Sequence, residues 1–442
     1  MRQTGEKGDN VFVLGLDEHN RAILDSLPRA SDYRFHPLLD MDRLQGDTID
    51  LPDLLDAARA RLDAFDGTVD AIIGFWDFPV STLVPILCSE RGLPASSLRS
   101  VVTCEHKYWS RLEQAAVIDE VPAFAAIDFS ARRPPNHLRY PLWLKPVKSF
   151  SSILAFRVTD DEQFRDALAQ IREGSGRLGE PFEFVLDRVD LPEEVAAAGG
   201  SACLAEEEAC GRQLTVEGYV WRGEPVVYGI VDSLTYPGTS CFLRYQYPSC
   251  VPQDVQEKLG DLSRRVIRRI GLDSVTFNIE YFWNDETGDI RLLEVNPRHS
   301  QSHARMLAHV DGAPNHEPLI RLALGREPEL THGAGEYAVA AKWFLRRFTD
   351  GIVRSVPTRE DIARMEREIP GTTVKIAVKD GDHLSDLHGQ DSYSYELAQV
   401  FVAGDDTEEL RRTYERCVER LPFRIDDIPG DGEAECAQRT TH

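Results

Sequence analysis

The sequence predicts an α/β protein of several domains: a parallel α/β unit first, an antiparallel middle and a small α+β unit last. Three observations carry that reading. In the first hundred or so residues, short apolar runs alternate with helical patterns across short connections, as in a parallel sheet. In the middle, "ACLAEEEACGRQLTVEGYVWRGEPVVYGIVD" alternates with period two between glycine turns, and a hairpin pattern follows downstream. After about residue 335, strand-like runs and an amphipathic helix lie side by side without that regular alternation.

Taken in order, "VFVLGL" (11–16) is an apolar, β-branched run that ends in the helical pattern "DEHNRAILDSL". "VDAIIGFWDFP" (69–79) repeats the move before "VSTLVPILCSERG", and "LPASSL" reads as another short strand. The first strand-to-helix turn holds Gly15 but no G-x-G-x-x-G, so a dinucleotide fingerprint is absent. A polar helix is expected over "CEHKYWSRLEQAAVIDE", and "VPAFAAID" leads from it to two strand-like runs around the polar turn of "YPLWLKPVKSFSSILAFRV". "DDEQFRDALAQIREG" predicts a helix, Gly211 and Arg222-Gly223 mark turns, and "QDVQEKLGDLSRRVIRRIGL" predicts a long amphipathic helix. "SVTFNIEYFW", "NDETGD" and "IRLLEVN" form the hairpin. In the tail, "AVAAKWFL", "TVKIAV" and "AQVFVAG" read as strands, "DTEELRRTYERCVER" as a helix, and "DDIPGDGEAECAQRTTH" as a frayed end. There is no internal repeat and no low-complexity segment.

The formal net charge is −24, from 74 acidic against 50 basic residues, which argues against nucleic acid or an anionic membrane surface as the main partner. A local cationic pocket for a small anion stays compatible with it. The eight cysteines include no C-x-x-C pair and read as structural thiols of a reduced protein. The N-terminal "MRQTGEKGDN" lacks the apolar core of a signal peptide, and no apolar run reaches membrane-spanning length; a cytoplasmic protein is expected.

Four stretches carry candidate chemistry. In "LLEVNPRHSQSHA", residues two apart on a strand share a face, so Glu294 and Asn296 point one way while Leu293 and Val295 point into the core. With the hairpin turn near Thr287, Glu280 falls opposite or diagonal to Glu294, an arrangement that repels without a cation. Two carboxylates and an amide oxygen suit Mg²⁺, and Arg298 can then grip a phosphate; a solvated hairpin face with scattered charge is the alternative. In "WLKPVKSFSS", Lys145 ends an apolar strand, and Lys148, Ser151 and Ser152 lie in a turn able to fold over phosphates or simply to face solvent. In "LAEEEACGRQLTVEGY", Glu206, Glu207 and Glu208 run through Ala209 to Gly211 and Gln213, either an adenine-binding crossing or an exposed acidic turn. His299 and His303 are spaced to share a helix face, without further ligands at zinc spacing, and suit the polar lining of a substrate pocket with Ser300 and Ser302. In "YPGTSCFLRYQYPSCVP", Arg244 and Tyr247 can meet a substrate carboxylate, and the aromatics can equally be core.

The order of these pieces resembles the ATP-grasp superfamily over about residues 1–330: Lys107, a Val-Pro turn, Lys145-Pro146, the glutamate-rich crossing before Gly211, then "NIE" and "EVNPR". The resemblance implies an ATP-grasp fold with an N-terminal Rossmann-like domain (1–105), an ATP-grasp domain (106–332, with a smaller mobile subdomain near 146–211) and a C-terminal α+β lid domain (333–442). It implies ATP and Mg²⁺ as cofactors, with Mn²⁺ able to substitute. Lys107 and Lys145 match lysines on ATP phosphates. Glu206 and Glu207, with the backbone near Ala209, match the adenine hinge, and Gln213 stands where the ribose contact is commonly Glu. Glu280, Glu294 and Asn296 match the metal ligands, and Arg298 the arginine that steadies a phosphate or acyl phosphate. The phosphate loop departs from the family's glycine-rich form, reading "VKSFSS".

Within the superfamily, the implied activity is a carboxylate–amine ligase: the acid becomes an acyl phosphate, ADP leaves, and an amine displaces the phosphate. Amino-acid-like substrates giving an amide or dipeptide are expected, with small-molecule partners and a homodimer as the usual assembly of relatives. Biotin carboxylase is the competing branch. It continues past the arginine with a pattern like R-x-Q-V-E-H whose glutamate is a base, whereas this chain reads "RHSQSH" with Ser302 in that place. A nucleotide-binding regulatory module without turnover is the third possibility.

Overall fold

The computed structural model describes residues 8–46, 48–149, 153–239, 241–387 and 394–428. The chain divides into two compact units: Met1–Gly229, Val251–Gln301 and Asn315–Leu330 form the first, and Ile230–Cys250, Ser302–Pro314 and Thr331–His442 the second.

The first unit opens with strand–helix alternation. β1 (Asp9–Val13), β2 (Tyr33–Pro37) and β3 (Ala71–Ile73) make a parallel sheet in the order β2-β1-β3. Between and after these strands run α1 (Glu18–Asp25), the short α2 (Met41–Leu44), α3 (Leu51–Asp63) and α4 (Val80–Arg91). Val11, Phe12 and Val13 are all buried, because the sheet is covered on both faces. Phe12 and Ile72 pack with Leu54 and Leu55 of α3 and Leu83 and Leu87 of α4; Val11 and Val13 pack with Leu319 and Ile320 of α12 (His316–Ala323).

The strand expected over "LPASSL" does not form. Pro94 has no N–H to give to a sheet, and Ser97 caps α5 (Leu98–Glu105), its hydroxyl accepting the Ser100 amide at 3.1 Å. The single helix expected over 104–120 is also divided. His106 leaves helical geometry (φ −89°, ψ 96°) and caps α6 (Lys107–Ala115), with its Nδ1 accepting the Trp109 amide at 3.2 Å. This break sets Lys107 at the first position of α6.

β4 (Phe124–Ile127), β5 (Leu142–Pro146), β6 (Phe156–Val158) and β7 (Cys203–Glu207) form an antiparallel sheet in the order β4-β7-β5-β6. α7 (Asp161–Gly174) lays Phe164, Leu168 and Ile171 against Leu142 and Leu144. α8 (Gly176–Leu186) and α9 (Glu193–Ala198) follow, two helices not expected from the sequence. β8 (Arg212–Trp221) turns into β9 (Glu224–Thr235) through Arg222 and Gly223, both left-handed (φ 54° and 78°), as a two-residue hairpin turn requires. α10 (Gln253–Ile270) leads to β11 (Val275–Trp283) and β12 (Ile290–Asn296), and neighbours run β12-β11-β8-β9. Along this hairpin Glu280 pairs directly with Glu294, but Tyr281 pairs with Leu292. Leu293 is the extra residue of a bulge, so Leu292 and Val295 are the buried residues instead of the expected Leu293 and Val295.

The second unit takes β9 onward from Ile230. β10 (Phe242–Tyr247), β13 (Val339–Arg347), β16 (Tyr395–Gly404) and β15 (Thr372–Ile376) continue antiparallel in that spatial order. Ala341, Trp343, Val400 and Val402 pack with Met365 of α13 (Arg359–Glu368) and with Leu410 and Cys417 of α14 (Thr407–Glu419). β14 (Gly351–Ser355) pairs with β17 (Arg424–Asp427). α11 (Ala304–Asp311) begins after a 3₁₀ turn at Gln301–His303, so His299 lies outside any helix and the expected shared helix face with His303 does not exist. No helix among the described residues is long and apolar enough to cross a membrane.

Candidate active site

A set of buried charges from separate elements meets inside the first unit. Lys107, at the start of α6, forms an ion pair with Glu294 of β12. Burial pulls the Lys107 ammonium down and Glu294 pulls it up further, leaving it above the ordinary lysine value. Lys145 of β5 lies 2.5 Å from Glu206 of β7, and Arg111 of α6 donates through Nε to the other oxygen of that carboxylate at 2.5 Å. Burial alone would raise the Glu206 carboxyl; the two cations overcome it and hold it at about 2. Burial leaves Lys145 below its ordinary value despite Glu206. Arg111 also donates to Gln114 Oε1 at 2.5 Å and to the carbonyl of the bulged Leu293 at 2.6 Å, which ties α6 to the hairpin.

The hairpin face holds the carboxylate that lacks a cation. Glu280 sits opposite Glu294 and accepts a hydrogen bond from Gln213 of β8 at 2.7 Å, and no Lys or Arg reaches it within ion-pair distance among the described residues. Burial, then the charge of Glu294, push the Glu280 carboxyl up to about 7. Two register steps along, Asn296 donates at 3.0 Å to Asn278 Oδ1, which leaves its own amide oxygen to other partners. Two paired carboxylates and an amide oxygen are hard ligands for a divalent cation. Among the described residues no cluster of three or more His, Cys, Asp or Glu side chains could hold one, so a cation on this face would draw its remaining ligands from water or a bound phosphate. The donor set and the raised Glu280 fit that group.

Arg298, two residues beyond β12, donates from Nε to Asp77 Oδ1 at 2.7 Å, and its Nη2 lies 2.6 Å from the same oxygen. Nη1 donates to the His299 carbonyl at 3.2 Å. Asp77 follows β3, at the carboxyl ends of the parallel strands, where open α/β sheets place ligand crevices.

Residues 138–304 match the model of the ATP-grasp domain family. The chain carries an ATP-grasp domain. A 69-residue stretch is 38% identical to a carbamoyl phosphate synthase large chain of Bifidobacterium adolescentis; the match covers 16% of this chain and only 6% of that relative. Among solved structures, the L-amino acid ligase from Bacillus licheniformis superposes with a TM-score of 0.70 at 13% identity, over 96% of this chain and all of that one (100%). The biotin carboxylase domain dimer of Hydrogenobacter thermophilus 2-oxoglutarate carboxylase, solved with MgADP, ADP and bicarbonate, superposes with a TM-score of 0.63 at 14% identity, over 95% and 92% of the two chains. At such identities the likeness establishes the ATP-grasp fold and no more.

Within the ATP-grasp domain the other sequence-predicted residues are placed unevenly. Lys148 is buried, paired with Glu105 of α5 and held 5.0 and 5.2 Å from the Phe78 and Phe182 rings. Ser151 and Ser152 lie outside the described residues. The Glu207 and Glu208 amides bond to the Ala123 and Pro141 carbonyls, and the Glu208 carboxylate takes two hydrogen bonds from Arg157, at 2.6 and 2.9 Å. Ala209 is half-buried past the end of β7. His299 is fully buried, its Nδ1 3.1 Å from Thr276 Oγ1, and the Ser300 amide donates to Glu217 at 3.0 Å. In the second unit, Arg244 stacks over Trp343 at 5.1 Å and Tyr247 donates to Asp311 at 2.6 Å. Ser302 accepts from Lys342 at 3.1 Å, and His303 packs edge-on against Tyr245.

Asp77, Glu105 and Arg111 were missed from sequence. Arg111 carried a usable signal: it stands four residues from Lys107, on the same face of a helix. Asp77 and Glu105 carried none, since each takes its meaning from a partner far along the chain.

Proposed function

We propose that the chain is an ADP-forming ligase that activates a carboxylate with ATP as an acyl phosphate and joins it to an amine, with amino-acid-like substrates and an amide or dipeptide as product. The observation that carries this reading is the unmatched carboxylate. Lys107, Arg111, Lys145, Lys148 and Arg298 each have a carboxylate partner, while Glu280, beside Glu294, has no cation at ion-pair distance among the described residues. Such a face accepts a divalent cation, and the MgADP bound by the Hydrogenobacter relative supports Mg²⁺ with an adenine nucleotide here.

In this reading Glu280, Glu294 and Asn296 hold Mg²⁺, which when bound offsets charge on the transferring phosphoryl oxygens. Lys107 and Lys145 contact phosphates, Glu206–Ala209 border the adenine, and Gln213 hydrogen-bonds the ribose. Arg298 steadies the acyl phosphate with the N–H groups its present partners do not use. His299 and Ser300 contribute to substrate contacts. The division into 1–105, 106–332 and 333–442, a cytoplasmic location and a homodimer belong to the same proposal. Ser302 weighs against the carboxylase branch, because a hydroxyl cannot act as an ionised carboxylate base.

The test is ADP release from ATP by purified protein supplied with acids and amines singly and in pairs. Release that requires both supports the ligase. Release stimulated by bicarbonate and free biotin supports the carboxylase, and nucleotide binding without hydrolysis supports a regulatory module. Glu294→Gln is expected to abolish turnover; near-parental activity would falsify the metal assignment.

A further inference from the structure

We infer that Asp77 receives the ammonium group of the acid substrate, so that the acid is an α-amino acid held by its two charges between Asp77 and Arg298. The inference rests on the ligase reading and names the substrate class for the same site. Arg298 occupies one oxygen of Asp77: Nε donates to Oδ1 at 2.7 Å and Nη2 lies 2.6 Å from it. Oδ2 has no hydrogen-bond partner among the described residues, although an ionised carboxylate offers about four acceptor sites. The Asp77 side chain is 25% exposed, so a ligand can reach it. Arg298 in turn keeps N–H groups beyond those bonded to Asp77 and the His299 carbonyl.

Charge decides which acid fits. Arg298 is already neutralised by Asp77. A simple carboxylate brought to Arg298 adds a negative charge beside Asp77 and leaves the open oxygen of Asp77 without a cation. An α-amino acid carries its own cation, and its ammonium falls beside the open oxygen of Asp77 while its carboxylate meets the guanidinium. A neutral pair of opposite charges in the protein thus matches a neutral pair in the ligand, and an acid without the ammonium is disfavoured.

The experiment measures acid-dependent ADP release for amino acids against the same acids lacking the amino group, L-alanine with propionate and L-leucine with isocaproate as the first pairs. Hydroxylamine serves as the common nucleophile. The parent is expected to favour the amino acid in kcat/KM by about tenfold or more, the worth of one charge-assisted hydrogen bond. Asp77→Asn, which keeps an oxygen for Arg298, is expected to bring that ratio near one. A residue that only positions Arg298 would instead lower both substrates equally and leave the ratio intact, which overturns the inference. If Asp77→Asn does not fold, the parent still decides: a parent that uses propionate and isocaproate as well as the amino acids refutes the inference alone. A parent that releases no ADP with any acid refutes the ligase reading and this inference with it.

Discussion

Replacing Glu280 by Gln isolates the electrostatics of the paired carboxylates. Without metal, Glu280 faces Glu294 and accepts a hydrogen bond from the Gln213 amide at 2.7 Å, with Arg298 and Lys107 acting on it only through their charge. Its carboxyl is pushed from 4.5 up to about 7, by burial first and by Glu294 second. A raised folded-state value means that the native protein holds this proton more tightly than the unfolded chain does. The contribution to stability is therefore intact below about pH 4.5 and is lost as pH rises through about 7. At 1.36 kcal/mol per pH unit, that interval corresponds to about 3 kcal/mol, a ceiling because Glu280 keeps some contact with solvent. Glu280→Gln removes the repulsion and retains an acceptor for Gln213. In metal-free buffer at pH 8 the variant should unfold at higher urea than the parent, by up to about 3 kcal/mol, and the gap should nearly vanish at pH 4.5. Adding Mg²⁺ with an adenine nucleotide at about 100 times the dissociation constant should stabilise the parent by about 2.7 kcal/mol and the variant far less. Urea titrations of intrinsic fluorescence at the two pH values, with and without ligand, supply all four comparisons. A variant less stable than the parent at pH 8, or one that gains the full ligand stabilisation, refutes the reasoning.

Two further substitutions probe the remaining buried charges. Glu206→Ala leaves Lys145 and Arg111 buried without their shared carboxylate and should cost about 3–5 kcal/mol in urea unfolding at pH 7. The parent's benefit from Glu206 should be present above about pH 4.5 and fade as pH falls toward about 2; a loss under 1 kcal/mol at pH 7 contradicts the pairing. In the second unit, Lys342 is buried, hydrogen-bonded to Ser302, and lowered to about 8 by burial. Stability should rise with pH between about 8 and 10.5, and Lys342→Met should stabilise the protein at pH 7 by up to about 3 kcal/mol, a gain that disappears by pH 10.5. A destabilised Lys342→Met at pH 7 would mean that the charge has a compensating partner.

What could be read from sequence is what depends on local periodicity. "VFVLGL" and "VDAIIGFWDFP" announce buried strands because both faces of β1 and β3 are covered, and "NDETGD" limits the hairpin register enough to bring Glu280 against Glu294. The bulge at Leu293 was not legible, since two adjacent leucines satisfy either register and only pairing with β11 decides which is buried. The break at His106 was hidden in the same way: helix-compatible residues flank it, and only the capped geometry ends α5. For Lys148 the sequence shows a lysine in a polar turn, but not the Glu105 carboxylate and two phenyl rings that enclose it. The Asp77–Arg298 pair spans 221 positions of chain, beyond the reach of any local pattern.

The two proposed phosphate lysines are held differently, and the difference orders what can move. Lys145 shares Glu206 with Arg111, so a Lys145 that turns toward a phosphate leaves that carboxylate still neutralised. Lys107 is the cation paired with Glu294, and its departure leaves Glu294 and Glu280 facing each other with Gln213 as their neutral support. Lys107 can therefore leave for a phosphate at low cost only when another cation stands beside the two carboxylates. Glu294 keeps 34% of its side-chain surface open against 5% for Glu206, so the exchange can occur where solvent and ligand have access. On the proposed assignment, metal and nucleotide are expected to bind as one event, because each would remove the electrostatic penalty that the other creates.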